Sequence, residues 1–377
     1  MRKHLASLVL ALPLLGFTAT AGATAPAAPD RVRVVVVTTD DAATRAVTRV
    51  IAAHGGHINM SWHAALNGVA AVVPPRLLPA LRLAPGVRTV EPDATVAITT
   101  TQSNPTWGLD RIDQRSLPGD HAFHYTATGS GVTAYVIDTG IRLTHSDFGG
   151  RAVTGIDYVD GGAATDCNGH GTHVAGTIGG HYRGVAKSVR LVAVRVLDCS
   201  GSGPVSRIVS GLNWVAANHR SGTPAVANMS LGGGASTAID SAVNGVINDG
   251  ITVTVAAGND GGSACAGSPS RVAAALTVSA SDGSDTRPSW ADYGSCVDVF
   301  APGVHVYSDW YSSDTATTYL DGTSMASPHV AGVAALYLQT HTTASPATVG
   351  SAIVHAATAY EVHNSGTPYS RLVYTSW

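Results

Sequence analysis

A large α/β domain, with a parallel sheet covered by helices on both faces, is the fold class this sequence predicts. Two patterns predict it. Apolar runs at Thr133–Ile137, Leu191–Leu197, Ala225–Met229, Thr252–Ala256, Leu276–Val278 and Val297–Phe300 read as strands, and they alternate with helical spacing at His173–Gly180, Arg207–Asn218, Ala238–Asp249 and Ser324–Gln339. Alternation of strand and helix in this way implies a parallel sheet covered by helices on both faces. Residues 100–377 are long for one domain, yet nothing resembling a linker divides them.

The first hundred residues read differently. Met1-Arg2-Lys3-His4, an apolar run from Leu5 to Phe17 and then Ala21-Gly22-Ala23 form the pattern of a secretory signal peptide, residues 1–23. The run is too short to span a bilayer, and no other stretch approaches ~20 uninterrupted apolar residues. The expected product is secreted, extracellular and free of the membrane once the signal is removed. In residues 24–99, Val32–Val37 reads as strand, Asp40–His54 as helix, His57–Val73 as two strands around Asn67-Gly68, Pro74–Ala84 as helix and Arg88–Ile98 as strand. That β-α-β-β-α-β order predicts a ferredoxin-like module. Thr99–Gln102 is a polar, extended junction suited to cleavage.

Charge divides at the same place. Residues 1–99 carry nine Lys and Arg against five Asp and Glu, and the remainder carries thirteen against twenty. The two pieces attract, and the acidic larger piece argues against a nucleic-acid partner.

Three short blocks carry chemistry. Asp321-Gly322-Thr323-Ser324-Met325-Ala326-Ser327-Pro328-His329 sets Ser324 where an apolar helix begins. A serine hydroxyl is a weak nucleophile until a base takes its proton, and Asn168-Gly169-His170-Gly171-Thr172-His173 supplies His170 between glycines at the start of another helix. Val132-Thr133-Ala134-Tyr135-Val136-Ile137-Asp138 delivers Asp138 at the end of an apolar strand. Strand ends and helix starts share one edge of a parallel sheet, so the three residues converge on one rim. Taken singly, each has an ordinary reading as a turn or cap residue. Val255-Ala256-Ala257-Gly258-Asn259 ends a further strand on an amide, the group an oxyanion hole needs.

The order Asp, His, Ser along the chain is that of subtilisin. Asp138-Thr139-Gly140, His170-Gly171-Thr172-His173 and Gly322-Thr323-Ser324-Met325-Ala326-Ser327-Pro328 resemble the three signature blocks of the subtilisin-like serine peptidases. Asp166-Cys167-Asn168-Gly169-His170 and Arg195-Val196-Leu197-Asp198-Cys199 are similar to the proteinase K branch, and to its aqualysin-like bacterial members especially. The resemblance runs from Gln102 nearly to the C-terminus. It implies a subtilisin-like fold and a serine endopeptidase in which Ser324, His170 and Asp138 form the triad and Asn259 binds the oxyanion. It implies an inhibitor-type propeptide, residues 24–99, that acts as the enzyme's intramolecular chaperone and inhibitor, followed by the peptidase domain, 100–377. Val174 stands where proteinase K has a free cysteine. A catalytically silent binding protein of the same fold is the alternative. A lipase would need Gly-x-Ser-x-Gly with the acid between serine and histidine, and a zinc protease His-Glu-x-x-His; neither pattern occurs.

Four cysteines, Cys167, Cys199, Cys265 and Cys296, point to disulfides in an exported chain, with three possible pairings. No two have Cys-x₂₋₄-Cys zinc spacing. The family resemblance favours Cys167–Cys199 and Cys265–Cys296. Asp110, Asp113, Gln114 and Asp120 crowd oxygen ligands into one short stretch, chemistry that suits calcium. The resemblance assigns calcium there, with one further family ligand replaced by Ala122, and places a second calcium at the Ala273 and Ala275 carbonyls with Asp298. Calcium is the only cofactor implied. For the substrate, Gly201-Ser202-Gly203 and Ser230-Leu231-Gly232-Gly233-Gly234 resemble the family segments that flank an extended peptide by β-pairing. Ala256, Ala257 and Gly258 are the expected wall of the pocket for P1, the residue before the scissile bond. With no charge expected there, broad cleavage after apolar or aromatic residues follows. Nothing in the sequence demands more than a monomer.

Overall fold

The computed structural model describes residues 30–93 and 100–377. The signal-peptide reading (1–23) and residues 94–99 before the cleavage junction lie outside the described residues. The chain divides into two compact units, Met1–Val96 and Ala97–Trp377.

In the first unit β1 (Val32–Thr38), α1 (Asp41–Ala53), β2 (His57–His63), β3 (Asn67–Val73), α2 (Leu78–Arg82) and β4 (Val87–Pro92) follow the expected β-α-β-β-α-β order. The strands form an antiparallel sheet in the order β2-β3-β1-β4. Asp40 caps α1, its carboxylate accepting the Ala43 N–H at 2.9 Å. Val34, Val36, Val69, Ala71 and Val73 pack on Val47, Ile51, Leu77 and Leu81 from the helical side. Asn67-Gly68 differs from expectation: it opens β3, paired with His63 and Trp62, and the turn is Ala64-Ala65-Leu66. A Cβ at Gly68 would lie 2.4 Å from the Val36 carbonyl, so this glycine serves close strand approach rather than a turn.

The second unit begins with β5 (Thr100–Ser103), α3 (Trp107–Ile112) and β6 (Ala122–Tyr125), then continues through β7 (Thr133–Asp138), β8 (Ala152–Asp157), α4 (His170–Gly179) and β9 (Arg190–Arg195). It proceeds with α5 (Val205–Asn218), β10 (Ala225–Met229), β11 (Gly233–Gly234), α6 (Thr237–Asn248), β12 (Thr252–Ala256), β13 (Gly267–Ser268) and β14 (Leu276–Ser281). β15 (Val299–Pro302), the hairpin β16 (Val306–Asp309) and β17 (Thr317–Leu320), α7 (Thr323–Thr340) and α8 (Pro346–Ala356) complete it. Seven strands form one parallel sheet in the order β15-β14-β12-β10-β7-β9-β8.

Side chains alternate across this sheet, and both faces are buried. Ala134 and Val136 of β7 join Leu191, Ala193, Val226 and Val278 against α4 and α7, through Val174, Ile178, Val330 and Val333. Tyr135 and Ile137 join Val192, Val194, Ala227 and Val255 against α5 and α6, through Leu212, Val215, Val243 and Val246. Each fully buried Val, Ile or Leu contributes roughly 1.5–3 kcal/mol, so the sandwich holds β7 rigidly between two cores. Chain order runs one way from β7 to β9 and the other way to β10, which opens a crevice at the carboxyl end of β7.

Candidate active site

Asp138 closes β7 at that crevice, fully buried, and His170 opens α4 beside it. The His170 imidazole Nδ1 lies 2.8 and 3.0 Å from the two Asp138 carboxylate oxygens. A carboxylate only accepts, so Nδ1 carries the proton and Nε2 is left as the free base. Burial alone would depress the His170 pKa; the charge of Asp138 and its hydrogen bond outweigh burial and raise it.

The α4 start is held by a residue the sequence reading quoted without assigning a role. Asp166 accepts the backbone N–H groups of Asn168, Gly169 and Thr172 at 2.9 Å each and the hydroxyls of Thr139 and Thr172. It satisfies donors that a helix N-terminus leaves open, and its charge adds to the rise at His170. Gly169 has φ +114°, and a Cβ there would strike the Trp310 ring. An acidic residue four positions before the helix-opening histidine was the available signal. His173, in the same block, is structural. Its Nε2 donates to the Val306 carbonyl at 3.0 Å, and burial pushes its pKa down to about 3.

Ser324 sits in the first turn of α7, half-buried. Pro328 lies within this helix and cannot donate to the Ser324 carbonyl four residues back. The Ser230 hydroxyl donates to that carbonyl instead, at 2.7 Å. Ser230 in turn accepts from Asn228 Nδ2 at 2.9 Å, and Asn228 Oδ1 accepts from the Thr254 and Ser327 hydroxyls. This buried network fixes the turn that presents Ser324. It was invisible to sequence reading because its members come from β10, β12 and α7. The Ser324 hydroxyl donates to the Ser230 carbonyl at 3.2 Å.

Asn259 follows β12. Its Oδ1 accepts the Thr323 N–H and hydroxyl, both at 2.9 Å, which leaves the Nδ2 donors for the cavity that Asn259 and Ser324 both line. That cavity holds about 470 Å³, and its lining includes Leu231, Gly232, Ala256, Ala257 and Gly258. The expected absence of charge does not hold, because Asp260 and Asp292 line it too. Asp292 lies 34 residues beyond Gly258 and reaches the wall through the fold. The second cavity, about 420 Å³, is lined by His170, Gly201, Ser202, Gly203, Ser230, Leu231 and Gly232. The two cavities share Leu231 and Gly232. Gly233 and Gly234 pair with Ser268 and Gly267, so of that segment they are engaged within the fold.

Cys167–Cys199 and Cys265–Cys296 are bonded, with S–S distances of 2.05 and 2.12 Å. The first ties the entry of α4 to the Gly201 segment across 32 residues, and each closes a loop worth about 3–4 kcal/mol in the chain-entropy model.

The calcium expectation meets a mixed arrangement. The Gln114 amide nitrogen reaches Asp110 Oδ1 at 2.8 Å and Asp120 Oδ1 at 3.2 Å, and the Ala122 N–H reaches the same two oxygens. Asp113 Oδ2 accepts from the His124 N–H at 2.6 Å, while Asp113 Oδ1 is buried without a donor among the described residues. Burial pushes the Asp113 pKa up to about 6. Among the described residues no three His, Cys, Asp or Glu side chains form a metal-holding group. A calcium ligand set here therefore requires the Gln114 amide turned to present Oε1 alongside the carboxylates. The orphaned Asp113 oxygen and the converging carboxylates fit a cation on those terms. At the second position, Asp298 Oδ2 accepts the Thr277 N–H at 2.8 Å, and burial raises its pKa to about 6 against the charge of Arg371. Ala273 and Ala275 precede β14 in the same region.

A serine held at a helix start, a histidine with its Nε2 free, a buried orienting carboxylate and an amide turned toward the serine's cavity define the class: a serine hydrolase on a parallel α/β sheet. The Subtilase family model (Peptidase S8) matches residues 129–370. The chain is 56% identical over 319 residues to the extracellular serine proteinase of Thermus sp. (strain Rt41A), covering 84% of this chain and 77% of that protein. It is 47% identical over 338 residues to alkaline serine exoprotease A of Vibrio alginolyticus, covering 88% and 62%. The crystal structure of a cold-adapted subtilisin-like serine proteinase superposes with a TM-score of 0.71 at 52% identity, covering 73% of this chain and all of that one. The chain belongs to the subtilase family of serine proteinases.

Proposed function

We propose that the chain is the precursor of a secreted endopeptidase that hydrolyses peptide bonds through an acyl-enzyme. Ser324 attacks the scissile carbonyl as His170 Nε2 takes its proton, Asp138 stabilises the imidazolium, and Asn259 Nδ2 with the Ser324 N–H holds the oxyanion. His170 then passes its proton to the leaving amine, and water repeats the sequence to release the acid. The observation that carries this reading is the Asp138–His170 pair at 2.8 Å, with His170 lining a cavity that shares Leu231 and Gly232 with the one lined by Ser324 and by an Asn259 amide whose oxygen is already occupied.

Ser230–Gly232 and Gly201–Gly203 would receive the substrate backbone as an added strand, and the Ala256–Gly258 wall favours apolar and aromatic P1 side chains. Residues 1–23 would direct export, as the name of the Thermus relative also suggests. Residues 24–99 would act as a chaperone and inhibitor until self-cleavage near Thr99–Thr101. Among the described residues no helix is long and apolar enough to cross a membrane. Asp110, Asp113, Gln114 and Asp120 would hold one structural calcium, and the Ala273 and Ala275 carbonyls with Asp298 a second. The mature enzyme would work as a monomer.

The test is casein hydrolysis with intact-mass and N-terminal analysis of wild type and Ser324→Ala. Wild type is expected to digest casein and begin near Thr100, and the variant to be inert and retain residues 24–99. Processing in purified Ser324→Ala would overturn self-cleavage.

A further inference from the structure

The P1 pocket contains a carboxylate held in an unusual position. Asp292 is only 8% exposed, yet it lines the cavity beside Ser324. Its Oδ1 accepts the N–H groups of Asp260 at 3.0 Å and Gly262 at 2.8 Å. Its own N–H donates to the Gly258 carbonyl at 3.0 Å, and the Ser279 hydroxyl donates to its carbonyl at 2.6 Å. Four bonds thus fix the residue, while Oδ2 takes no donor among the described residues. Gly258 explains how that oxygen meets the cavity. Its φ is +119°, and a Cβ there would lie 2.2 Å from Asp292 Oδ2. Any side chain at 258 would cover or displace the carboxylate.

Asp260 lines the same cavity and is exposed, and the lining contains no Lys or Arg. The rest of the wall mixes Leu231, Ala256, Ala257, Ala266 and glycines, on which methylenes pack, with the neutral polar side chains of Asn259, Ser263, Ser270, Thr323 and Ser324. A cavity with an Ala-Gly strip along one wall, neutral polar groups and two carboxylates with no cation opposite matches a side chain with an apolar stem and a cationic head.

We propose that Asp292, assisted by Asp260, is a specificity-determining residue that extends P1 acceptance to Lys and Arg. This rests on the reading of Ser324 as the nucleophile beside this pocket. The stem of a P1 Lys or Arg lies along the Ala256–Gly258 wall, and its head donates to Asp292 Oδ2. Because Asp292 is already immobilised, the contact costs little ordering. A P1 Glu or Asp is repelled by the same charges.

The test is a series of p-nitroanilide tetrapeptides differing only at P1, Phe, Lys, Arg and Glu, assayed with mature wild type, Asp292→Asn, Asp260→Asn and the double variant. Asn retains the oxygen that accepts from Asp260 and Gly262, and the exposed Asp260 tests the charge independently of pocket architecture. The readout is the ratio of kcat/KM for Lys to that for Phe. Asp292→Asn is expected to lower this ratio about 10- to 100-fold, the worth of one hydrogen bond to a charged group. Asp260→Asn lowers it less, and added salt lowers it in wild type by screening. An unchanged ratio in all three variants overturns the proposal while leaving the peptidase reading intact. Failure of every substrate, together with no fluorophosphonate labelling of Ser324, overturns the peptidase reading and the proposal with it.

Discussion

Replacing Asp309 with Asn should make the enzyme's stability far less sensitive to pH between about 5 and 8. Asp309 is fully buried on β16, and burial is the main cause that pushes its pKa up to about 8, with nearby Asp147 raising it further and Arg183 opposing. One Arg183 guanidinium nitrogen serves both carboxylates, at 3.3 Å to Asp147 and 3.2 Å to Asp309, and Asp309 Oδ2 has no partner among the described residues. His145 Nδ1 stands 3.7 Å from Asp309 Oδ1, its own pKa lowered by burial, and the Arg151 guanidinium senses both acids. One cation therefore cannot neutralise both acids. The folded pKa lies above the unfolded value of 3.8, so from about pH 4 to pH 8 the folded protein keeps a proton that the unfolded chain has released. Stability then falls as pH rises through that window, by at most about 1.4 kcal/mol per pH unit, or a few kcal/mol in all. The amide that replaces the carboxyl in Asp309→Asn does not titrate and retains its shape. The assay is thermal unfolding of fluorophosphonate-inhibited wild type and Asp309→Asn at half-unit steps from pH 5 to 8, inhibition preventing autolysis. Asp113, Asp298 and Lys187 are common to both proteins, so the difference between the curves reports Asp309 together with the groups coupled to it, His145, Asp147 and Arg183. The two melting curves should diverge with rising pH, the variant becoming relatively more stable. Parallel curves would refute the reasoning.

Three further outcomes follow from the site. Asn259→Ala should lower kcat by about 10²–10³ with KM little changed, the cost known for removing such a donor in subtilisin; an equal loss carried by KM would contradict an oxyanion role. Asp166→Asn should lower kcat and move the acid limb of the kcat/KM profile to lower pH, because a charge that raises the His170 pKa is gone; a fall in melting temperature with an unmoved limb would make Asp166 purely structural. Chelation with EDTA should lower the melting temperature before it alters burst kinetics with an active-site titrant, and calcium at about a hundred times its Kd should restore about 2.7 kcal/mol. A loss of activity at unchanged melting temperature would contradict structural calcium.

The sheet was legible because short strands rich in Val, Ala and Thr alternate with helical segments, and β7, β10 and β12 lie within a residue of their expected bounds. The edge strand β8, Ala152–Asp157, was missed; it includes the exposed Thr154 and the half-buried Gly155 and carries no such run. α4 begins at His170, the helix start that the glycine-flanked block marked, three residues before the periodic stretch His173–Gly180, with Asp166 supplying its N-terminal acceptor. Asp138 ends β7, and His170 and Ser324 lie in the first turns of α4 and α7, within the glycine-marked blocks that drew attention to them; Asn259 follows β12 by three residues. What supports them could not be located in this way. Ser230 reaches across to the carbonyl that Pro328 leaves open, Arg183 meets Asp309 across 126 positions, and Asp292 lines the cavity beside Ser324, next to Gly258. Such contacts leave no local period or spacing, since only the closed fold brings the partners together.

The most direct test of the central claim is to label mature wild type and Ser324→Ala with a fluorophosphonate and map the adduct by peptide mass spectrometry. A single adduct on Ser324, formed fastest above the His170 pKa and absent from the variant, is the result this account predicts. An adduct on another serine, or equal labelling of the variant, would contradict it.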